Sequence, residues 1–154
     1  MDIRYAQSQD IDDILHLLGQ VNLIHHLGRP DIFKKATKYT RDQLEKLIKD
    51  ERRPILVAVE NNHVLGYMFG IFEITHGDNI LIDDKTLYID DICVDENARG
   101  QHVGQTLYEA TKNFAREHGC RRITLNVWSF NDSAKLFYEK MGMHPLKTTL
   151  EDVL

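Results

Sequence analysis

The chain has 154 residues, 42% hydrophobic and 28% charged, with a formal net charge of −5. That size and composition fit one ordinary globular domain over residues 1–154 and exclude a second catalytic domain, a fibrous repeat or a disordered chain. No apolar run approaches the roughly 18 residues that span a bilayer, and Met1-Asp2-Ile3-Arg4-Tyr5 lacks a signal-peptide core, so a cytoplasmic protein without a membrane partner is expected.

Asp2 to Ala6 alternates and precedes Ser8, which predicts a short strand followed by a helix N-cap. Ile11, Ile14, Leu15, Leu18 and Val21 recur every three or four residues, the stripe of an amphipathic helix, with Asp10, Asp12 and Asp13 at its positive end. Leu27-Gly28-Arg29-Pro30 ends it. Thr40 caps a second helix carrying Leu44, Leu47 and Ile48, and Pro54 opens a strand over Ile55 to Glu60. Asn61-Asn62 suits a tight turn into a long strand, Val64 to Ile74. A polar loop leads to the strand Leu87 to Val94, which carries Asp90 and Asp91. Then come the turn Arg99 to Gly104, a helix ending at Gly119, and the strand Arg122 to Val127, a unit whose strands should run parallel. The last helix is capped by Asn131 or Ser133 and stops at Gly142, and Met143 to Leu146 and Lys147 to Val153 are expected to add two more strands.

The charge is unevenly spread. Residues 73–96 hold Glu73, Asp78, Asp83, Asp84, Asp90, Asp91, Asp95 and Glu96 against Lys85 alone, which leaves the rest slightly positive. No basic stripe with interleaved aromatics appears, so a nucleic-acid partner is not expected and a cationic one is. Cys93 and Cys120 form no CxxC pair, and His16, His25 and His26 match no ligand spacing; solvent-facing histidines and no metal are the expectation.

A glycine turn leading from a strand into a helix exposes unpaired amides beside the positive end of the helix dipole, which suits an anion. Arg99 adds a fixed charge there, although Gly100 and Gly104 would equally serve close helix packing. Arg99-Gly100-Gln101-His102-Val103-Gly104 resembles the pyrophosphate loop of the GNAT N-acetyltransferase superfamily. Leu125-Asn126-Val127 with Asn131, Ala134, Phe137-Tyr138-Glu139 and Gly142-Met143 resembles that family's second signature at its usual spacing. One position departs, because His102 stands where the motif has its first glycine.

The resemblance implies an α/β (α+β) fold with a mixed, twisted central sheet of about six to seven strands flanked by helices, two central strands splaying around acetyl-CoA. It implies direct acetyl transfer to a primary amine of a small-molecule or peptide acceptor, for which the acidic segment motivates a positive charge. The backbone of Ile92, Cys93 and Val94 would hold the pantetheine arm, and Arg99, Gly100, Gln101, His102, Val103 and Gly104 the pyrophosphate. Asn131 and Ala134 would meet the pantetheine again. Tyr138 is the candidate acid for the departing thiolate, and it also lies against the cofactor.

A protonated amine must lose a proton before attack, so a base is needed. Asp90 and Asp91, adjacent on a strand, are expected on opposite faces, with only one toward the acceptor. Asp90 is preferred, with Asp91 and a water route left open. Phe33, Tyr39, Tyr88 and Trp128 are candidate acceptor contacts. A homodimer through the final strand is a further expectation, and a non-catalytic CoA-binding sensor or partner-binding module is the alternative function.

Overall fold

Alternation along one strand sets the layers of the computed structural model, which describes residues 1–154. In the strand Ile55–Glu60, Ile55 and Val57 enter one apolar cluster and Leu56 another, so both faces of the sheet must be covered by helices. The strands are β1 (Asp2–Tyr5), β2 (Ile55–Glu60), β3 (His63–Thr75), β4 (Asp84–Val94) and β5 (Arg122–Leu125). They form one sheet in that order, antiparallel throughout except for the parallel pair β4–β5.

Helices α1 (Ile11–Gly28) and α2 (Arg41–Ile48) cover one face. Ile11, Ile14, Leu17, Leu18 and Leu44 pack there on Val57, Tyr67 and Phe69. Helix α3 (Val103–Glu117) covers the other with Leu107, Tyr108, Phe114 and Ala115 over Leu56, Met68, Leu87 and Ile89. Helix α4 (Asp132–Lys140) follows β5 and contributes no fully buried residue. The caps follow local chemistry: the Thr40 hydroxyl accepts from the Gln43 amide at 3.2 Å while the Gln43 side chain accepts from the Thr40 amide at 2.9 Å.

Two expectations need correction. The sheet has five strands rather than six or seven, because Met143 to Leu146 and Lys147 to Val153 form no ladder. Met143 packs against the α3-side cluster, but the apolar residues beyond it stay in solvent, Leu150 remaining 88% and Val153 77% exposed, and the segment is tied by Glu151, which accepts from Arg29 beyond α1. The parallel strand also stops early, at Leu125 instead of Val127.

That early stop creates the main opening. Strands β4 and β5 pair only from Thr86–Arg122 to Ile89–Leu125, while β4 continues to Val94. The β5-facing edge of residues 90–94 therefore has no strand partner.

Candidate active site

The chain beyond the open edge is shaped for an anion. A one-turn helix, Glu96–Ala98, is capped by the Asp95 carboxylate and leads into Arg99, which is exposed. Gly100 has φ +86°, a conformation that strains any L side chain, and His102 sits at φ +60° as the N-cap of α3. The first amide bonded to this end of the helix is that of Thr106, which donates to the His102 carbonyl at 3.0 Å. The amides of Val103, Gly104 and Gln105 precede it and are free for a ligand, at the positive end of a 15-residue helix. Gly104 has a packing reason as well: a Cβ there would lie 3.2 Å from the Phe137 ring, so the glycine lets α4 approach α3. Asn131 caps α4, its side chain accepting from the Ala134 amide at 3.3 Å.

The two aspartates do not point to opposite faces. Phe69 pairs with Asp91 but Gly70 with Ile89, which leaves Asp90 as the extra residue of a β-bulge. The alternation is thereby shifted by one. Ile89 and Ile92 both pack toward α3, whereas Asp90 and Asp91 both reach groups on the α1 side.

Their surroundings nevertheless differ. Asp90 accepts from the Tyr39 hydroxyl at 2.6 Å and lies 3.1 Å from the Lys38 ammonium and 3.9 Å from the Arg53 guanidinium. Asp91 accepts from the Tyr67 hydroxyl at 3.1 Å and has no paired cation. Burial, reinforced by Asp90 and only partly opposed by Lys38 and the Tyr67 hydrogen bond, raises its carboxyl to about 6. Burial and the nearby Asp91 charge hold the Tyr138 hydroxyl well above the usual phenol range, and push the Cys93 thiol up to about 12. Tyr138 and Cys93 thus both feel the Asp91 charge.

The other acceptor candidates separate into two groups. Tyr39 stacks on Phe69 at 5.5 Å and spends its hydroxyl on Asp90, so it supports the carboxylate rather than offering a free surface. The Tyr88 hydroxyl accepts from Asn126 at 3.2 Å across the splay. Phe33 and Trp128 meet edge to face at 5.0 Å, and His25 lies 4.9 Å from Phe33. His25 is therefore not solvent-facing; burial and Lys38 push its pKa down. Phe130 completes this wall by lying so close to Gly28 that any Cβ there would collide with its ring.

Much of the charge of the acidic segment 73–96 is met by local partners. Asp78 accepts from the Ile80 and Leu81 amides at 2.8 and 2.9 Å, and Asp83 meets His76 at 2.9 Å. Asp84 lies 3.4 Å from Arg122, and Asp95 accepts from Gln20 at 3.3 Å. Sequence reasoning missed Tyr67, Lys38 and Arg53, whose roles depend on strand register and on the two loops flanking α2, more than 30 residues upstream of β4.

A mixed sheet opening at its one parallel pair, with a glycine turn and free helix amides beyond the gap, defines an α/β class built to hold an extended anionic ligand. Residues 21–143 match the family model described as the acetyltransferase (GNAT) family, and the chain belongs to that family. A Bacillus subtilis (strain 168) protein provisionally named a ribosomal protein bS18-alanine N-acetyltransferase is 28% identical over 123 residues, covering 79% of this chain and 75% of its own. The crystal structure of a tetramutant of the BH1408 protein from Bacillus halodurans is 32% identical, covers 100% of both chains and superposes with a TM-score of 0.95. An aminoglycoside acetyltransferase from an uncultured soil metagenomic sample shares the fold, with 20% identity, coverage of 99% and 95%, and a TM-score of 0.70.

Proposed function

We propose that this acetyltransferase moves an acetyl group from acetyl-CoA directly to a primary amine, with Asp91 as base and Tyr138 as acid. The observation that carries the reading is the pairing of two displaced groups. A carboxyl raised to about 6 exerts its charge on a phenol that burial keeps protonated, just past the point where β4 loses its strand partner.

The residues fit the donor. The unpaired edge of Ile92, Cys93 and Val94 offers amides and carbonyls to an extended amide-bearing arm, as one strand does to another. Arg99 and the amides of Val103, Gly104 and Gln105 suit the pyrophosphate, with Gly100 and Gln101 forming the turn and His102 its departure from the motif. Asn131 and Ala134, at the start of α4, line the other wall. The donor supplies an activated acyl carbon on a thiol leaving group. Asp91 takes the proton of the incoming ammonium, so that the nitrogen lone pair can form the new N–C bond as the C–S bond breaks. The Tyr138 hydroxyl gives its proton to the departing sulfur, and the second proton that the nitrogen sheds as the amide forms restores the hydroxyl through water. Cys93 takes no covalent part, since a buried thiol pushed up to about 12 stays protonated at neutral pH.

Tyr138→Phe is expected to lower kcat by about 10²- to 10⁴-fold while acetyl-CoA still raises the melting temperature. Equal thiol-release rates in the two proteins would remove Tyr138 from the chemistry. If wild type binds acetyl-CoA yet acetylates no amine, the protein is a CoA-binding sensor instead.

A further inference from the structure

Resting on the acetyl-transfer reading, we infer that the acceptor bears an anionic group, a carboxylate or a phosphate, beside its amine, and that Lys38 holds that group. The charge around the base runs against the negative composition of the segment. Six of its carboxylates lie in β4 or the loops on either side, and those other than Asp91 are met by cations or by amides and polar side chains, as described above. Asp90 is shared by two cations, Lys38 and Arg53. One carboxylate between two cations leaves a positive surplus next to Asp91.

Lys38 is the member of that trio with capacity to spare. Its ammonium carries three donors, of which one goes to the Asp90 carbonyl at 3.0 Å and one to the Asp90 carboxylate at 3.1 Å. The side chain is still 40% exposed, against 15% for Asp90. Its charge is felt by Asp91 on one side and by His25, in the aromatic wall, on the other. An acceptor whose ammonium approaches Asp91 therefore brings its remaining substituents to an ammonium with a free N–H and to the faces of Phe33 and Trp128. An acceptor with a second positive charge would meet Lys38 as a like charge, which penalises it.

The test measures thiol release from acetyl-CoA with matched acceptors: L-phenylalanine against L-phenylalaninamide, phosphoethanolamine against ethanolamine, and cadaverine as a dication. The anion-bearing member of at least one pair should have the higher kcat/KM, and the pair that shows it distinguishes carboxylate from phosphate. Lys38→Ala should raise KM for that acceptor about tenfold more than for its masked partner, as loss of one charge-assisted hydrogen bond implies. Lys38→Arg should recover part of the loss.

Preference for cadaverine or for the masked amines, with turnover intact, overturns the acceptor inference and leaves acetyl transfer standing. Equal effects of Lys38→Ala on both members of a pair also overturn it, since they would mark a merely structural role through Asp90. Bound acetyl-CoA with no amine turned over removes acetyl transfer itself, and the acceptor inference with it.

Discussion

The molecule divides at Ala115. Every fully buried residue lies at or before that position, and none of the 39 residues after it is buried. The front part builds two clusters against both faces of β1–β4, whereas the rear part contributes a four-residue strand, α4 and an exposed tail. The candidate site straddles this divide. Asp91, Tyr67 and Cys93 stand on the well-packed side, and Asn131, Ala134 and Tyr138 on the lightly packed one. The proposed base is thus held by the core, while the proposed acid is carried by an element packed only through half-buried side chains such as Phe137, whose contacts a ligand in the gap would increase. Ligand-binding elements are drawn from the low-stability end of a fold for this reason.

The sharpest way to break the comparison is through Asp91. The kcat/KM of wild type should rise with pH through about 6 as the carboxylate forms, and Asp91→Asn should lose that limb together with about 10²-fold or more of the rate. Its stability should move the other way. Because burial raises the folded value, the fold favours the protonated form; that stabilisation is present below the ordinary carboxylate range and is lost as pH rises through about 6. Asp91→Asn should therefore keep, at pH 8, a melting temperature equal to or above that of wild type. A marked loss of stability would mean that Asp91 is a structural anchor for Tyr67 rather than a site residue.

Packing supplies the next contrast. Leu17 in α1 is fully buried, so Leu17→Ala should cost about 2–5 kcal/mol in urea unfolding. Leu136 in α4 is 57% exposed, and Leu136→Ala should fall within about 0.5 kcal/mol of wild type. Similar losses at both positions would mean that the rear part has a core not visible in the monomer. Hydrogen exchange sharpens the same point: acetyl-CoA should slow exchange in α4 and at the start of α3 and leave α1 and β2 unchanged.

The sequence made the local features legible and hid those that depend on partners. The Thr40 cap and the Asn61-Asn62 turn are written in adjacent residues; both asparagines have positive φ, 51° and 63°, as a two-residue hairpin turn requires. The bulge at Asp90 is not, because no glycine or proline in β4 marks it and the only trace is Gly70 on the opposite strand. Missing the bulge put the two aspartates on opposite faces. The pairing of the acidic segment was hidden for a related reason: Lys38, Arg53 and Arg122 are remote in sequence and meet these carboxylates only once the sheet is formed. The tail carries scattered apolar residues, Leu146, Leu150 and Val153, but such residues do not say whether a partner edge is within reach.

The smallest effect concerns the one departure from the loop motif. His102 holds a left-handed conformation that a glycine would adopt without a Cβ penalty, and the site lies at the start of α3, within the well-packed part. His102→Gly removes that strain, about 1 kcal/mol, although the greater freedom of glycine in the unfolded chain returns part of it. A melting temperature raised by a few degrees at most is expected, measured without ligand. If the ring serves only as a tolerated side chain, acetyl-CoA should bind as well or better, because the amides of Val103 and Gly104 become easier to approach. Weaker binding in His102→Gly would instead make the imidazole a contact to the phosphates, with the backbone strain retained in order to place it.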